Sequence, residues 1–179
     1  MKEAWTIWFT GLHGSGKSTI AEGLSLFLAK KNIDFGILDG DELRKTISAG
    51  LGYTLEDRNE HMKRVANLCR ENSKNGILSI ASVASPTEKS REYAKSILSK
   101  FLLVYVKCPI EICAKRDVKG HYKKASEKEK GFKNFMEVSS NFEEPKNPDI
   151  VINTDKESAE ESVGKLIKKL VTEGIVMPE

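Results

Sequence analysis

The octapeptide Gly11-Leu12-His13-Gly14-Ser15-Gly16-Lys17-Ser18 fits the pattern G-x-x-x-x-G-K-S/T, and its flanks are the ones that pattern requires. Trp5 to Thr10 ahead of it is an apolar run that reads as a buried strand. Thr19 to Lys31 behind it reads as an amphipathic helix with Ile20, Leu24, Phe27 and Leu28 on one side. Glycines in such a loop let backbone N–H groups wrap around polyphosphate oxygens at the positive end of a helix. Lys17 then reaches the β- and γ-phosphates, and the Ser18 hydroxyl joins the shell of a Mg²⁺ ion. Gly11, His13, Gly14, Ser15, Gly16, Lys17, Ser18 and Thr19 are therefore the candidate nucleoside triphosphate contacts.

The rest of the chain alternates short apolar runs with helical segments. Phe35–Asp39, Ile77–Val83, Phe101–Val106 and Asp149–Asn153 read as four further strands, with a closing helix from about Ser158 to Leu170. That alternation predicts an α/β fold, a five-stranded parallel sheet with helices on both faces in three layers. The 179 residues suit one domain, spanning residues 1–179. Ligands of such sheets bind beyond the carboxyl ends of the strands. The stretch from Val118 to Pro148 is rich in Lys and Glu and poor in aliphatic residues, with no strand pattern; it reads as a lid-like excursion over the site.

Composition removes several classes of function. A net charge of +3, from 29 basic and 26 acidic residues, gives no concentrated basic face of the kind that binds nucleic acid. The apolar run Phe101–Val106 is far short of a membrane span. Met1-Lys2-Glu3 leads directly into the first strand, so no signal peptide is expected. Cys69, Cys108 and Cys113 form no C-x-x-C pair, which predicts buried reduced thiols and a cytoplasmic setting.

A phosphate-binding loop works with a carboxylate at the end of a neighbouring strand. Only the second strand ends on acids, Leu38-Asp39-Gly40-Asp41. Asp39 and Asp41 are the best candidates: one can hold the metal through water, and the other can accept or orient a substrate hydroxyl for in-line attack. The competing role for Asp41 is to cap a helix beginning at Glu42. Asp155, after the last strand, reads as a turn or cap residue. On the helix expected over Asp57–Glu71, Met62, Val65, Ala66 and Cys69 have core spacing, while Arg58, His61 and Arg64 share an edge. That edge is either a solvated face or an anion-binding row. Lys115, Arg116, Lys119, Lys123 and Lys124 form a second basic cluster, either solvated or a clamp on the transferring phosphoryl group.

Together these segments resemble adenylylsulfate (APS) kinase. The shared motifs are G-L-x-G-S-G-K-S-T at Gly11–Thr19, L-D-G-D-x-L-R at Leu38–Arg44 and L-G-F/Y-x-x-x-D-R-x-E at Leu51–Glu60. To these are added S-P at Ser85-Pro86, C-x-x-R-D-x-K-G-x-Y-x-K-A at Cys113–Ala125, and I-x-T at Ile152–Thr154. The resemblance implies a P-loop kinase fold like that of nucleoside monophosphate kinases. It implies transfer of the ATP γ-phosphoryl, with Mg²⁺, to the ribose 3′-hydroxyl of a nucleotide 5′-anhydride. By position it implies that Lys17 and Ser18 bind phosphate and Mg²⁺, that Asp39 supports the metal, and that Asp41 lies at the acceptor 3′-hydroxyl. Arg44 and Arg58 match residues holding the acceptor's anionic groups, Ser85 a phosphate-facing position, and Lys119 a lid lysine reaching substrate. Arg116 matches an arginine packed on the ATP adenine, with Thr154 in the same triphosphate half. Tyr53 and Phe135 match two aromatics that sandwich the acceptor base. A homodimer is implied as well.

Departures from the family pattern gather around the acceptor. Glu42 stands where D-G-D-N has Asn, and His61 replaces a substrate-contacting Asn. Ala84 replaces a bulky aliphatic before S-P, and Phe135-Met136-Glu137-Val138 replaces F-T-G-I. Two acceptors therefore stay open at this point: adenylylsulfate, or another nucleotide anhydride such as cytidine diphosphoramidate of capsule modification. A nucleotide switch without an acceptor is a further class, disfavoured because no N-K-x-D-type motif is present and Asp41 would have no task. A gluconate- or shikimate-type kinase is disfavoured by the D-G-D and R-D-x-K-G-x-Y matches.

Overall fold

The computed structural model describes residues 3–116, 120, 122 and 142–177. Lys119, Phe135, the departures at 136–138 and most of the excursion at 118–148 lie outside the described residues. Five strands form one sheet: β1 (Thr6–Thr10), β2 (Phe35–Asp39), β3 (Leu78–Ser82), β4 (Phe101–Lys107) and β5 (Ile150–Asn153). They run parallel in the order β2-β3-β1-β4-β5. The described helices are α1 (Lys17–Lys30), α2 (Gly40–Lys45), α3 (Leu55–Lys74), α4 (Glu88–Ile97), α5 (Ile110–Arg116) and α6 (Ala159–Thr172).

β1 is the central strand, and all five of its residues are buried. Its side chains alternate between two cores, as a period of two requires. Ile7 and Phe9 pack with Ile20, Leu24 and Leu28 of α1 and with Leu166 and Leu170 of α6. Trp8 packs on the other face with Met62, Val65, Ala66 and Cys69 of α3 and Ala94 of α4. Each of these fully buried aliphatic or aromatic side chains contributes about 1.5–3 kcal/mol relative to exposure. Burial on both faces is why the inner strands read as continuous apolar runs rather than alternating ones.

The connection from β1 carries the chain past β3 to β2, while β4 lies on the other side of β1. The strand order reverses there, which opens a crevice beyond the carboxyl end of β1. The phosphate loop follows β1, Gly40-Asp41 follows β2, Val83–Pro86 follows β3 and Thr154 follows β5, so four strand ends converge on one place.

α3 starts two residues earlier than the apolar spacing predicts. Thr54 Oγ1 accepts from the Asp57 backbone N–H at 3.1 Å, and Asp57 Oδ2 accepts from the Thr54 N–H at 3.2 Å. This capping box is worth on the order of 1 kcal/mol and fixes the helix start between Tyr53 and Arg58.

Candidate active site

The phosphate loop is shaped by close approach of its neighbours. Gly14 has φ +77°, and a Cβ there would lie 2.7 Å from the Cys113 carbonyl oxygen. A Cβ on Gly11 would lie 2.4 Å from the Val106 carbonyl oxygen, so the loop can descend onto β4 only with glycine at its start. Gly16 is the N-cap of α1 and supplies no side-chain capping bond, which leaves first-turn N–H groups for an anion. Lys17 Nζ donates to the Gly11 and Leu12 carbonyls at 2.8 and 2.7 Å, which holds the ammonium against the loop it serves.

A brace secures the far side of the loop. Thr154 Oγ1 donates to the Ser15 carbonyl at 2.6 Å. Arg116 donates through Nη2 to the Thr154 carbonyl at 2.7 Å and through Nη1 to Thr154 Oγ1 at 3.2 Å. Tyr122 OH donates to the His13 carbonyl at 3.0 Å.

The acid pair lines the same cavity as the loop. Asp39 is the N-cap of α2, and its Oδ1 accepts from the backbone N–H groups of Asp41 at 2.8 Å and Glu42 at 3.3 Å. The capping role weighed for Asp41 thus belongs to Asp39, because the helix begins at Gly40 rather than at Glu42. Asp41 instead occupies the first turn and lines the cavity.

That cavity has a volume of about 650 Å³. His13, Gly14, Gly16, Lys17, Ser18 and Thr19 of the phosphate loop and α1 line it together with Asp39, Asp41, Arg44, Arg58, His61 and Ala84. Among the described residues no group of three or more His, Cys, Asp or Glu side chains is placed to hold a metal. Ser18 and Asp39 share the cavity, and this sparse oxygen set fits Mg²⁺, which takes one or two protein ligands and completes its shell with phosphate and water.

Arg58 is 6 % exposed, and its Nη2 is buried with no hydrogen-bond partner. Its Nε donates to the Tyr53 carbonyl at 3.2 Å. Burial first, and the Arg44 charge second, pull its pKa down to about 10, so the guanidinium is still a cation at neutral pH. A buried cation with an unmatched donor is costly unless an anion completes it. Arg44 and Arg58 both approach the Tyr53 ring, at 4.8 and 5.6 Å from its centroid. The two cations and the aromatic face together suit a flat, anionic ligand.

The adenylylsulphate kinase family model matches residues 3–153. The chain belongs to the adenylylsulfate kinase family. An adenylyl-sulfate kinase of Halothermothrix orenii is 41 % identical over 175 residues, covering 97 % of this chain and 94 % of the relative. An adenylyl-sulfate kinase of Bacteroides thetaiotaomicron is 44 % identical over 167 residues, covering 92 % and 82 %. Among solved structures, the Mycobacterium tuberculosis APS kinase CysC in complex with AMPPNP and APS superposes with a TM-score of 0.85 at 32 % identity, covering 95 % of this chain and 99 % of that one.

Within this family member, the expected residues separate by position. Arg58 and His61 enter the cavity, whereas Arg64 is solvated and paired with Glu60 at 3.0 Å. The shared helix edge therefore divides into a site half and a surface half. Ser85 has a different task from the phosphate-facing one expected of it. It is fully buried with φ +43°, its Oγ lies 3.0 Å from Ser90 Oγ, and its carbonyl accepts from Arg91 Nη1 at 2.7 Å. Ser82, Val83, Ala84 and Pro86 line the cavity in its place. Gly11 and Ser15 support the loop from beneath, and Ser15 is fully buried. Tyr53 is 45 % exposed and is not part of the cavity lining, but its ring lies beside Arg44 and Arg58, which are. Asp155 falls in the turn after β5, as expected. Sequence reasoning did not pick out Glu157, Ser158, Ala159 and Ser162, which line the cavity at the start of α6. Glu157 and Ser158 lie just past the turn that follows β5, and that position was a usable signal.

Proposed function

We propose that the chain transfers the γ-phosphoryl group of ATP to the 3′-hydroxyl of adenylylsulfate. The observation that carries this reading is the meeting of Lys17, Ser18, Asp41 and Arg58 in one cavity. The loop and Lys17 bind the triphosphate, while Ser18 and Asp39 are the residues that would hold Mg²⁺, whose charge neutralises the phosphate oxygens. Asp41 accepts the proton of the 3′-hydroxyl as its oxygen bonds to the γ-phosphorus. The bond from the γ-phosphorus to the β,γ-bridging oxygen breaks, ADP leaves with that electron pair, and the proton passes from Asp41 to solvent. Arg44 and Arg58 hold the acceptor's anionic 5′-group, with Tyr53 against its base.

The relatives above are named for adenylylsulfate, which supports that acceptor over a cytidine anhydride. His61, one of the departures behind the cytidine alternative, has both ring nitrogens engaged by protein atoms. A single domain with a lid-like excursion at about 118–148, with Lys119 reaching substrate and Phe135 stacking on the acceptor base, belongs to the same reading, as does a homodimer. A cytoplasmic setting fits the three free, buried cysteines. The test is turnover of ATP with each acceptor, scored by 3′-phosphorylated product. Robust transfer to adenylylsulfate supports the reading, and transfer confined to cytidine diphosphoramidate overturns it.

A further inference from the structure

His61 is 2 % exposed, and both of its ring nitrogens are engaged. Nε2 lies 3.0 Å from the Gly40 carbonyl oxygen, and Nδ1 lies 2.7 Å from Ser48 Oγ. A carbonyl oxygen only accepts, so the proton sits on Nε2; Nδ1 of the neutral ring then accepts from the Ser48 hydroxyl. Ser48 is 1 % exposed, so water does not compete for that bond.

The residue so held is the middle of Asp39-Gly40-Asp41. Gly40 is also confined from the other side, where a Cβ would lie 3.2 Å from Val83 Cγ1. The Gly40 carbonyl and the Asp41 N–H belong to one peptide plane. Asp39 Oδ1 fixes the N–H side of that plane at 2.8 Å, and His61 fixes the carbonyl side. With both ends held, rotation of the plane is restrained, and with it the direction in which Asp41 leaves the backbone.

We propose that His61, oriented by Ser48, is a positioning residue that aims Asp41 at the acceptor hydroxyl. It acts through the Gly40–Asp41 peptide and makes no contact with the reacting atoms. This rests on the reading of Asp41 as the group that takes the hydroxyl proton. Misplacing such a group by about 1 Å costs on the order of 100-fold in rate, so the effect is readable in kcat.

The side chains of Asn and Gln place an amide nitrogen where the Nδ1 and Nε2 of histidine lie, respectively. His61→Gln therefore keeps a donor for the Gly40 carbonyl, and His61→Asn reaches only towards Ser48. The experiment measures kcat, acceptor KM and the Kd of ATP, with Mg²⁺, for full-length wild type, His61→Gln, His61→Asn and Ser48→Ala, using adenylylsulfate as acceptor. His61→Asn is expected to lower kcat by about 30- to 100-fold, His61→Gln by less than about 5-fold, and Ser48→Ala by about 3- to 10-fold, with ATP Kd within about twofold throughout. A purely structural role would move ATP Kd and kcat together and would not separate Gln from Asn. Equal kcat for Asn and Gln, or wild-type kcat for Asn, overturns the proposal. Where His61→Asn fails to fold, Ser48→Ala with unchanged kcat overturns it too.

Asp41→Asn separates this proposal from the reading beneath it. In that background His61→Asn is expected to cost less than about twofold more. Full additivity overturns the positioning role while leaving Asp41 in place. An Asp41→Asn enzyme with wild-type kcat removes Asp41 from the chemistry and the role of His61 with it.

Discussion

Asp39 Oδ1 lies 2.8 Å from the backbone nitrogen of Asp41, so two acids two residues apart have different work. The first uses one oxygen as the cap of α2 while it lines the cavity. The second stands in the helix's first turn and lines the cavity. Asp41→Ala should lower kcat by at least about 100-fold, the scale of a lost general base, with ATP Kd within about threefold. Initial rates and equilibrium ATP titration check it.

Asp39 permits a finer separation. Asparagine caps a helix about as well as aspartate, whereas alanine costs about 1 kcal/mol. Asp39→Asn should therefore keep wild-type thermal stability while raising the Mg²⁺ concentration needed for half-maximal rate. Asp39→Ala should lose both. Thermal melts beside Mg²⁺ titrations of activity distinguish the two.

Arg58 carries a charge buried without full compensation, so its contribution to function and to stability should differ in sign. Arg58→Met should raise acceptor KM by about 10- to 100-fold, the value of one or two charge-assisted hydrogen bonds. Removing an uncompensated buried charge is neutral or stabilising, so the melting temperature of the ligand-free protein should hold or rise. The ATP KM should not change.

His61 should make stability depend on pH over a defined window. Burial first, then the Arg44 charge, pull its pKa from the ordinary 6.5 to about 4; Arg58 acts in the same direction, and Asp41 and the Gly40 carbonyl oppose. Between those values the unfolded chain binds a proton that the folded chain does not. The stabilising contribution is present in full above pH 6.5 and is lost as pH falls towards about 4. His61→Gln should flatten that part of the curve, as read by urea unfolding at pH 7, 6, 5 and 4.

Thr154 ties the Ser15 carbonyl to Arg116, and a threonine-to-valine change removes both bonds at little cost in shape. Thr154→Val should raise ATP KM by about 5- to 30-fold while leaving acceptor KM in place, because the two lost bonds together are worth about 1–2 kcal/mol. Separate saturation curves for the two substrates check this.

The strand, loop and helix around Gly11–Ser18 were legible because their signal is local. The apolar run, the glycines and the helix period all lie within one short stretch. The carboxyl ends of β2 and β3 were legible for the same reason. α4 was not, because its apolar residues, Tyr93, Ala94 and Ile97, are few and confined to its second half. Its polar half is held by Arg91, 2 % exposed, which donates to the Ser85 and Glu143 carbonyls at 2.7 Å each. The division of Arg58 and His61 from Arg64 was hidden as well, since helical spacing places all three on an edge and only the position of the sheet decides which of them meets the cavity. The pairing of Ser48 with His61 depends on a loop whose path no periodicity encodes. Ser162 lies too far into α6 for a rule about strand ends to reach it.

The central claim is that the triphosphate loop and Asp41 serve one transfer to a nucleotide 3′-hydroxyl. The most direct measurement incubates the purified chain with Mg²⁺, γ-labelled ATP and either adenylylsulfate or cytidine diphosphoramidate, and follows where the label goes. The account predicts label on the 3′-oxygen of adenylylsulfate, abolished by Asp41→Ala. Label released only as free phosphate, or found only on the cytidine compound, would contradict it.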